Sequence, residues 1–350
     1  VSGPRPRVVF NALPLAGAGG GVSTYIRELL TALPGVATAD FAAAVHPGAV
    51  GLLPDAVSPI ARPESRGVRR ALRGLAGFGP ADLVHGLDVD IPLRPRAPTV
   101  ATVHDLAVFD VPEWFPRHRA VGERLLVAES IRRVDAVVAV SAFTAERVRD
   151  RFGRTATVIH SAPGSAMVPA APDDVERVRR QYSLPDAFCL HVGNIEPRKD
   201  LGTLAEACRR AGLPLVLTGH PLWGHAPPDG AVTVGHVPAG DLPALYGAAT
   251  VVGYASRYEG FGLPPVEAMA CGAAVVSTPV PAVVEVARDG VALFRSGDVD
   301  GLARTLAELA ADPEQRQELA RRGQEAVSQL DWSSTAARTV DVYRSLGLAL

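Results

Sequence analysis

Strong charge of either sign is missing from this sequence. Its 35 Lys and Arg stand against 37 Asp and Glu, a formal net charge of −2. No global basic field exists for a nucleic acid, so any anion must be held by a local site. Cysteine is nearly missing too, with Cys189, Cys208 and Cys271 the three present. Their odd number and their spacing exclude a zinc motif or a redox pair, and predict small core residues in a reducing compartment, the cytosol. No run reaches the roughly 18 to 20 apolar residues of a membrane span. No signal peptide is read ahead of the first strand, and no low-complexity tract interrupts the chain. Aromatic residues make up only 5%.

What is present is enough apolar material for two cores: 350 residues, 47% hydrophobic and 21% charged. A single core rarely grows beyond about 250 to 300 residues. Valine-rich runs at 7–12, 81–85, 98–104, 134–140 and 155–159 read as buried parallel strands. Helical patterns at 21–33, 117–131 and 142–151 lie between them. After a Pro/Ala/Ser-rich stretch at 161–173, read as a linker, a second set follows. Its strands are expected at 187–192, 213–218, 231–234, 250–254 and 273–277, its helices at 201–210, 241–248 and 264–271, with helices at 298–311, 313–330 and 332–346 closing the chain. The alternation predicts α/β architecture with doubly wound sheets, whose ligands bind at the carboxyl ends of the strands.

Four strand-end segments carry chemistry. Gly17-Ala18-Gly19-Gly20-Gly21 precedes a helix and would let a diphosphate approach free backbone N–H groups, although a plain flexible loop reads equally well. Gly193-Asn194-Ile195-Glu196-Pro197-Arg198-Lys199-Asp200 sets two cations at a sheet mouth, where Arg can clamp phosphate oxygens and Lys adds a point charge. Glu259-Gly260-Phe261-Gly262-Leu263-Pro264-Pro265-Val266-Glu267 leads from a loop into a helix, its two glutamates separated by seven residues. They cannot share one helical face, and must reach to two depths. An ordinary helix start with acidic residues is the competing reading. His104-Asp105 ends a first-domain strand, as hydrogen-bond donor, base or structural group.

Together these segments resemble glycosyltransferase family 4, retaining enzymes of the GT-B fold. The resemblance runs from Asn11 to about Tyr343 and also rests on Val140-Ser141-Ala142-Phe143 and Glu267-Ala268-Met269-Ala270-Cys271-Gly272. It implies two facing Rossmann-like domains: an acceptor-binding domain at 1–165, a nucleotide-sugar domain at 174–330, and a helix at 331–350 crossing back to the first. It implies that Gly20 and Gly21 meet the donor diphosphate through backbone N–H groups, that Arg198 and Lys199 neutralise it as it leaves, and that Asn194 lies beside it, where relatives carry Arg. Gly260, Phe261, Gly262 and Leu263 add donor contacts, Glu267 bonds the ribose, Glu259 contacts hydroxyls of the transferred sugar, and His104 lies beside that sugar. Gly235-His236-Val237 borders the base. No metal and no cofactor is implied beyond the nucleotide-diphosphate sugar itself; Asp88-Val89-Asp90 has the letters of a metal pair but sits in a first-domain loop. At the end of the first domain, His160-Ser161-Ala162-Pro163 replaces the usual Asn-Gly.

The resemblance leaves the acceptor open among glycans, lipid-linked sugars and small molecules, and the expected donor group is mannosyl or a similar hexosyl. Arg66, Arg69, Arg70 and Arg73 alternate with Val68, Leu72, Leu75 and Phe78. They read as a basic amphipathic helix that would rest on the anionic inner face of the cell membrane or grip a phosphate-bearing acceptor, or as a solvated face. Trp114-Phe115 would stack on a sugar or pack in the core. Three function classes stand: a transferase, another enzyme on this architecture such as a nucleotide-sugar epimerase or phosphorylase, and a non-catalytic subunit. The last would be expected to have lost Arg198, Lys199 or Glu267, and the chain keeps all three.

Overall fold

The computed structural model describes residues 5–16, 20–63, 77–89, 91 and 95–350. Arg66, Arg69, Arg70 and Arg73 lie outside the described residues, as do Gly17, Ala18, Gly19 and Asp90. The chain forms two compact units: Val1–Ser161 with Asp331–Leu350, and Ala162–Leu330.

In the first unit, β1 (Arg7–Asn11), β2 (Asp40–Val45), β3 (Val57–Ala61), β4 (Leu83–Gly86), β5 (Thr99–Val103), β6 (Ala136–Ala139) and β7 (Thr157–Val158) form one parallel sheet. Its order is β3-β2-β1-β4-β5-β6-β7. Strand order reverses between β1 and β4, the place where such sheets open a crevice at their carboxyl edge. The buried runs that predicted strands do so because both faces are covered: Val8, Val9 and Phe10 are all fully buried.

Two strands of this unit escaped the sequence reading, as did β13 (Ala292–Leu293) of the second. The β2 segment is Asp-Phe-Ala-Ala-Ala-Val, whose alanines favour helix in isolation. The β3 segment carries Pro59, which costs no ladder bond at a sheet edge.

The helix Trp332–Ser345 belongs to this first unit. Asp331 caps it, accepting from the Ser334 amide at 2.8 Å. Its buried face carries Trp332, Thr335, Ala336, Thr339, Val340 and Tyr343. Thr335 donates to the His160 carbonyl at 2.8 Å, and the Tyr343 hydroxyl is hydrogen-bonded to His85 Nδ1 at 2.7 Å.

The second unit repeats the plan. Its strands are β8 (Cys189–Val192), β9 (Leu215–Thr218), β10 (Val232–Gly235), β11 (Val251–Tyr254), β12 (Val275–Ser277) and β13 (Ala292–Leu293), parallel in the order β10-β9-β8-β11-β12-β13. Order reverses between β8 and β11. The helix Pro172–Gln181 begins inside the stretch read as linker, because Pro172 suits a first helical turn and Asp173 and Asp174 meet the positive end of its dipole. The three cysteines are buried and unpaired. Among the described residues no helix is long and apolar enough to cross a membrane.

Candidate active site

The two acidic and basic loops of the second unit leave the sheet on either side of its reversal point. β8 runs into Gly193–Asp200 and β11 into the 255–262 loop. The first loop closes in a single tight turn, Pro197–Lys199. Asp200 follows at φ 45°, in the left-handed region that Asp tolerates better than most residues. Its carboxylate holds Arg257 at 2.7 Å, and the Arg257 amide donates to the Arg198 carbonyl at 2.8 Å, so the two loops are clamped together.

At the centre is one carboxylate between two cations. Glu259 Oε1 accepts from Lys199 Nζ at 2.5 Å and Oε2 from Arg198 Nη1 at 2.8 Å. Arg198 Nε also reaches Glu196 at 2.8 Å. Lys199 is 4% exposed and Glu259 7%, which rules out solvated surface lysine. Burial alone would raise the Glu259 carboxyl, but the charges of Arg198 and then Lys199 outweigh it and hold the group at about 2. Lys199 is pulled below its ordinary value, first by burial and next by Arg198, with Glu259 opposing. Two cations and two carboxylates leave this quartet formally neutral, so holding an anion here would take further positive potential nearby.

The helix Leu263–Ala270 offers it. Gly262 stands at its N-terminus with φ 88°, and a Cβ there would lie 2.5 Å from Val283 Cγ2. Only glycine lets the chain turn there. Pro264 and Pro265 carry no N–H and the Val266 amide donates to the Gly262 carbonyl at 3.3 Å, so the Leu263 amide and the positive end of the helix dipole are what this start offers. Glu267, one turn in, is buried, and its charge, after burial, pushes the Tyr254 phenol well up. On the other side Gly219 makes a close approach: a Cβ on it would stand 2.1 Å from the Gly193 carbonyl oxygen. The loop after β9 can therefore lie flat along the first loop, with the Ile195 amide donating to the His220 carbonyl at 2.9 Å. Asn194 sits part-exposed in that strip, and Val237 is buried just beyond β10.

The remaining sequence-predicted residues are in the first unit. Gly20 is exposed and immediately precedes the helix Gly21–Val36. Tyr25, on that helix, sets its ring edge-on to His104, with centroids 4.7 Å apart and an interplanar angle of 84°. His104 Nε2 bonds the Leu87 carbonyl at 2.9 Å; as that nitrogen must donate, Nδ1 of the neutral ring is an acceptor. Tyr25 in turn bonds Thr102 at 3.1 Å, Thr102 bonds His85 at 2.9 Å, and Trp332 packs 5.7 Å from the Tyr25 ring. His85 is pushed down to about 3, by burial and then by His104.

The structure thus brings Arg198, Lys199 and Glu259 into contact, sets Gly260, Phe261, Gly262, Leu263 and Glu267 along the same loop and helix, and joins Gly20 and Gly21 to His104 through Tyr25. Sequence reasoning gave Glu196, Asp200, Arg257 and Tyr25 no role. Glu196 lies two residues before Arg198, a spacing that suits an ion pair in a turn; the other three carry no sequence signal.

Residues 174–326 match the family model described as glycosyl transferases group 1, and residues 19–163 the one described as glycosyltransferase family 4. Over 284 residues, 75% of this chain and 74% of the relative, the sequence is 30% identical to O-antigen chain mannosyltransferase B of Escherichia coli. The chain belongs to the group 1 glycosyltransferases. This glycosyltransferase is also 29% identical over 237 residues, 61% of its length, to the serotype-specific mannosyltransferase WbdA of Escherichia coli, of which it spans 29%. Its fold is GT-B. Anabaena HepE in complex with UDP-glucose superposes with a TM-score of 0.77 at 19% identity, over 97% of this chain and 100% of that one.

Proposed function

We propose that this glycosyltransferase is a retaining enzyme that moves a mannosyl or similar hexosyl group from a nucleotide-diphosphate sugar to a hydroxyl of a glycan, glycolipid or small-molecule acceptor. The observation that carries the reading is the buried Arg198–Lys199–Glu259 cluster beside the Gly262–Leu263 helix start. Breaking an anomeric bond leaves negative charge on the departing diphosphate. Fixed cations and helix N–H groups in a dry site stabilise that charge without reorganising. Mannosyltransferase relatives favour mannose as the group moved, and a neighbour of the same fold held with UDP-glucose favours a nucleotide-sugar donor.

Glu259 has both oxygens committed to cations, which weakens it as a nucleophile. Each oxygen keeps a second lone pair for a sugar hydroxyl. This favours a front-face route in which the leaving phosphate takes the acceptor's proton, and retention follows from it. Glu267 is proposed for the ribose, Gly20, Gly21 and Asn194 for the diphosphate, Val237 for the edge of the base, and His104 for the sugar. With Arg198 and Lys199 supplying the positive charge, the transfer is proposed to need no metal.

A thermal-shift comparison of GDP, UDP, dTDP and ADP tests the reading. A nucleotide at 100 times its dissociation constant stabilises by about 2.7 kcal/mol. Stabilisation by one of them, lost in Glu267→Ala, is expected. Indifference to all four contradicts the donor assignment.

A further inference from the structure

In the first unit, away from every residue given a role above, three buried nitrogens have no partner among the described residues. Both ring nitrogens of His46 and the Nε of Arg62 are enclosed without a hydrogen bond. His46 is 4% exposed. Buried nitrogens of this kind are rare in folded chains, and each costs about 1 to 3 kcal/mol when left unmet. Three together call for a hydrogen-bond partner that the described residues do not supply.

The two side chains are neighbours by register. β2 and β3 pair in parallel with Ala44 beside Ile60 and Val45 beside Ala61. The Arg62 amide continues the ladder, donating to the Val45 carbonyl at 2.8 Å. The next pair is therefore His46 and Arg62. Ala42, Ala44 and Ile60 pack with Phe78 on one face, and strand alternation carries His46 and Arg62 onto that same face. The Arg62 guanidinium lies 5.6 Å above the Phe78 ring, and its Nη2 donates to the Gly77 carbonyl at 2.9 Å. This aromatic and carbonyl seat fixes the fork and leaves Nε–H free.

The chemistry selects the occupant. An Arg Nε is a donor only, and an imidazole has at least one N–H. No carboxylate is paired with Arg62 among the ion pairs of the described residues, so its charge is uncompensated there. A water molecule accepts both N–H groups but leaves the guanidinium charge unbalanced. An oxyanion with several terminal oxygens accepts all that are offered and balances the charge. Its place is the carboxyl edge of the sheet, the edge at which His104 follows β5.

We propose that His46 and Arg62 form an anion subsite of the first unit, which takes the phosphate group of a phosphate-bearing acceptor. The acceptor part of this inference rests on the transfer reading above. The anion part does not.

Two-bond ¹H–¹⁵N spectra of the histidine rings test it, on the full chain without donor. Three probes are added in turn: inorganic phosphate, mannose 6-phosphate, and phosphatidylcholine vesicles containing phosphatidylglycerol. A saturable shift of the His46 ring with any of them, weakened about tenfold or more in Arg62→Gln, is the expected result. A tighter sugar phosphate points to a soluble acceptor, and a response to vesicles to a lipid headgroup; both support the subsite. His46→Phe, which keeps the apolar contacts, identifies the resonance, and Arg62→Gln carries the test if that variant does not fold. An unmoved His46 ring with all three probes, or identical titrations in wild type and Arg62→Gln, overturns the proposal. Nucleotide release from a nucleotide sugar, read on the wild type without these probes, separates the two ideas. Loss of release with phosphate binding intact sinks the transfer reading and leaves the anion site standing; the reverse sinks the anion site alone.

Discussion

Lys199 Nζ stands 2.5 Å from Glu259 Oε1, and Arg198 Nη1 stands 2.8 Å from the other oxygen of the same carboxylate. Two loops some 60 positions apart in sequence are thereby locked around one buried acid. The contact holds the two loops together and, on the proposed reading, binds the donor, and variants can separate the two.

Lys199→Met leaves Glu259 with Arg198 as its one remaining cation. Removing one member of a buried ion pair costs about 3 to 5 kcal/mol, and the lower end is expected here because Arg198 stays. Nucleotide release should fall about 10² to 10³-fold. The double variant Lys199→Met/Glu259→Gln should regain most of the stability in urea denaturation while release stays low. Recovery of both together would mean that Lys199 serves the fold only.

Acid should loosen the second unit through Glu259. Its folded carboxyl sits at about 2, against an ordinary value of 4.5. A depressed carboxylate contributes its full stability above the unfolded value and loses it as pH falls toward the folded one. The gap in urea midpoint between wild type and Glu259→Gln should therefore be constant from pH 7 to about 5, then shrink steadily toward pH 2.5. A gap that stays level to pH 3 would show that the carboxylate gains nothing from its cations.

Gly262→Ala forces a Cβ to within 2.5 Å of Val283 Cγ2 at a φ of 88°. The strain and overlap should cost about 1 to 3 kcal/mol. Because the helix start must shift to relieve them, the donor KM should rise more than kcat falls. Calorimetry and steady-state kinetics check both parts, and an unchanged KM would remove the helix start from the donor site.

Tyr343→Phe deletes the partner of His85 Nδ1 in the fully buried His85–Thr102–Tyr25 chain. An orphaned buried imidazole nitrogen costs about 1 to 3 kcal/mol. The loss should appear as earlier unfolding of the first unit by hydrogen exchange, with nucleotide affinity of the second unit unchanged. Protection equal to wild type would show that a water replaces the phenol without loss.

The fold was legible wherever strands were valine-rich and doubly buried, as in β1, β5 and β11. It was illegible where local preference and final place disagree: the alanines of β2 become strand only because β1 and β3 flank them, and Pro59 is acceptable only at an edge that topology creates. Arg198, Lys199 and Glu259 could be named from the chain, yet their mutual contact could not, since it depends on two loops meeting at the reversal of strand order. Tyr25 and His46 left no trace in sequence. One matters because its hydroxyl reaches Thr102 on β5, the other because nothing among the described residues answers its ring nitrogens.

The helix Trp332–Ser345 completes the first unit although all of the second unit precedes it in the chain. On the ribosome, the second unit therefore has its whole sequence available while the first still lacks Trp332, Thr335 and Tyr343. Tyr25 and His85, fully buried in the finished protein, lack the cover of Trp332 and Tyr343 through the synthesis of about 170 further residues. The unit that begins first is thus the one whose sequence is completed last.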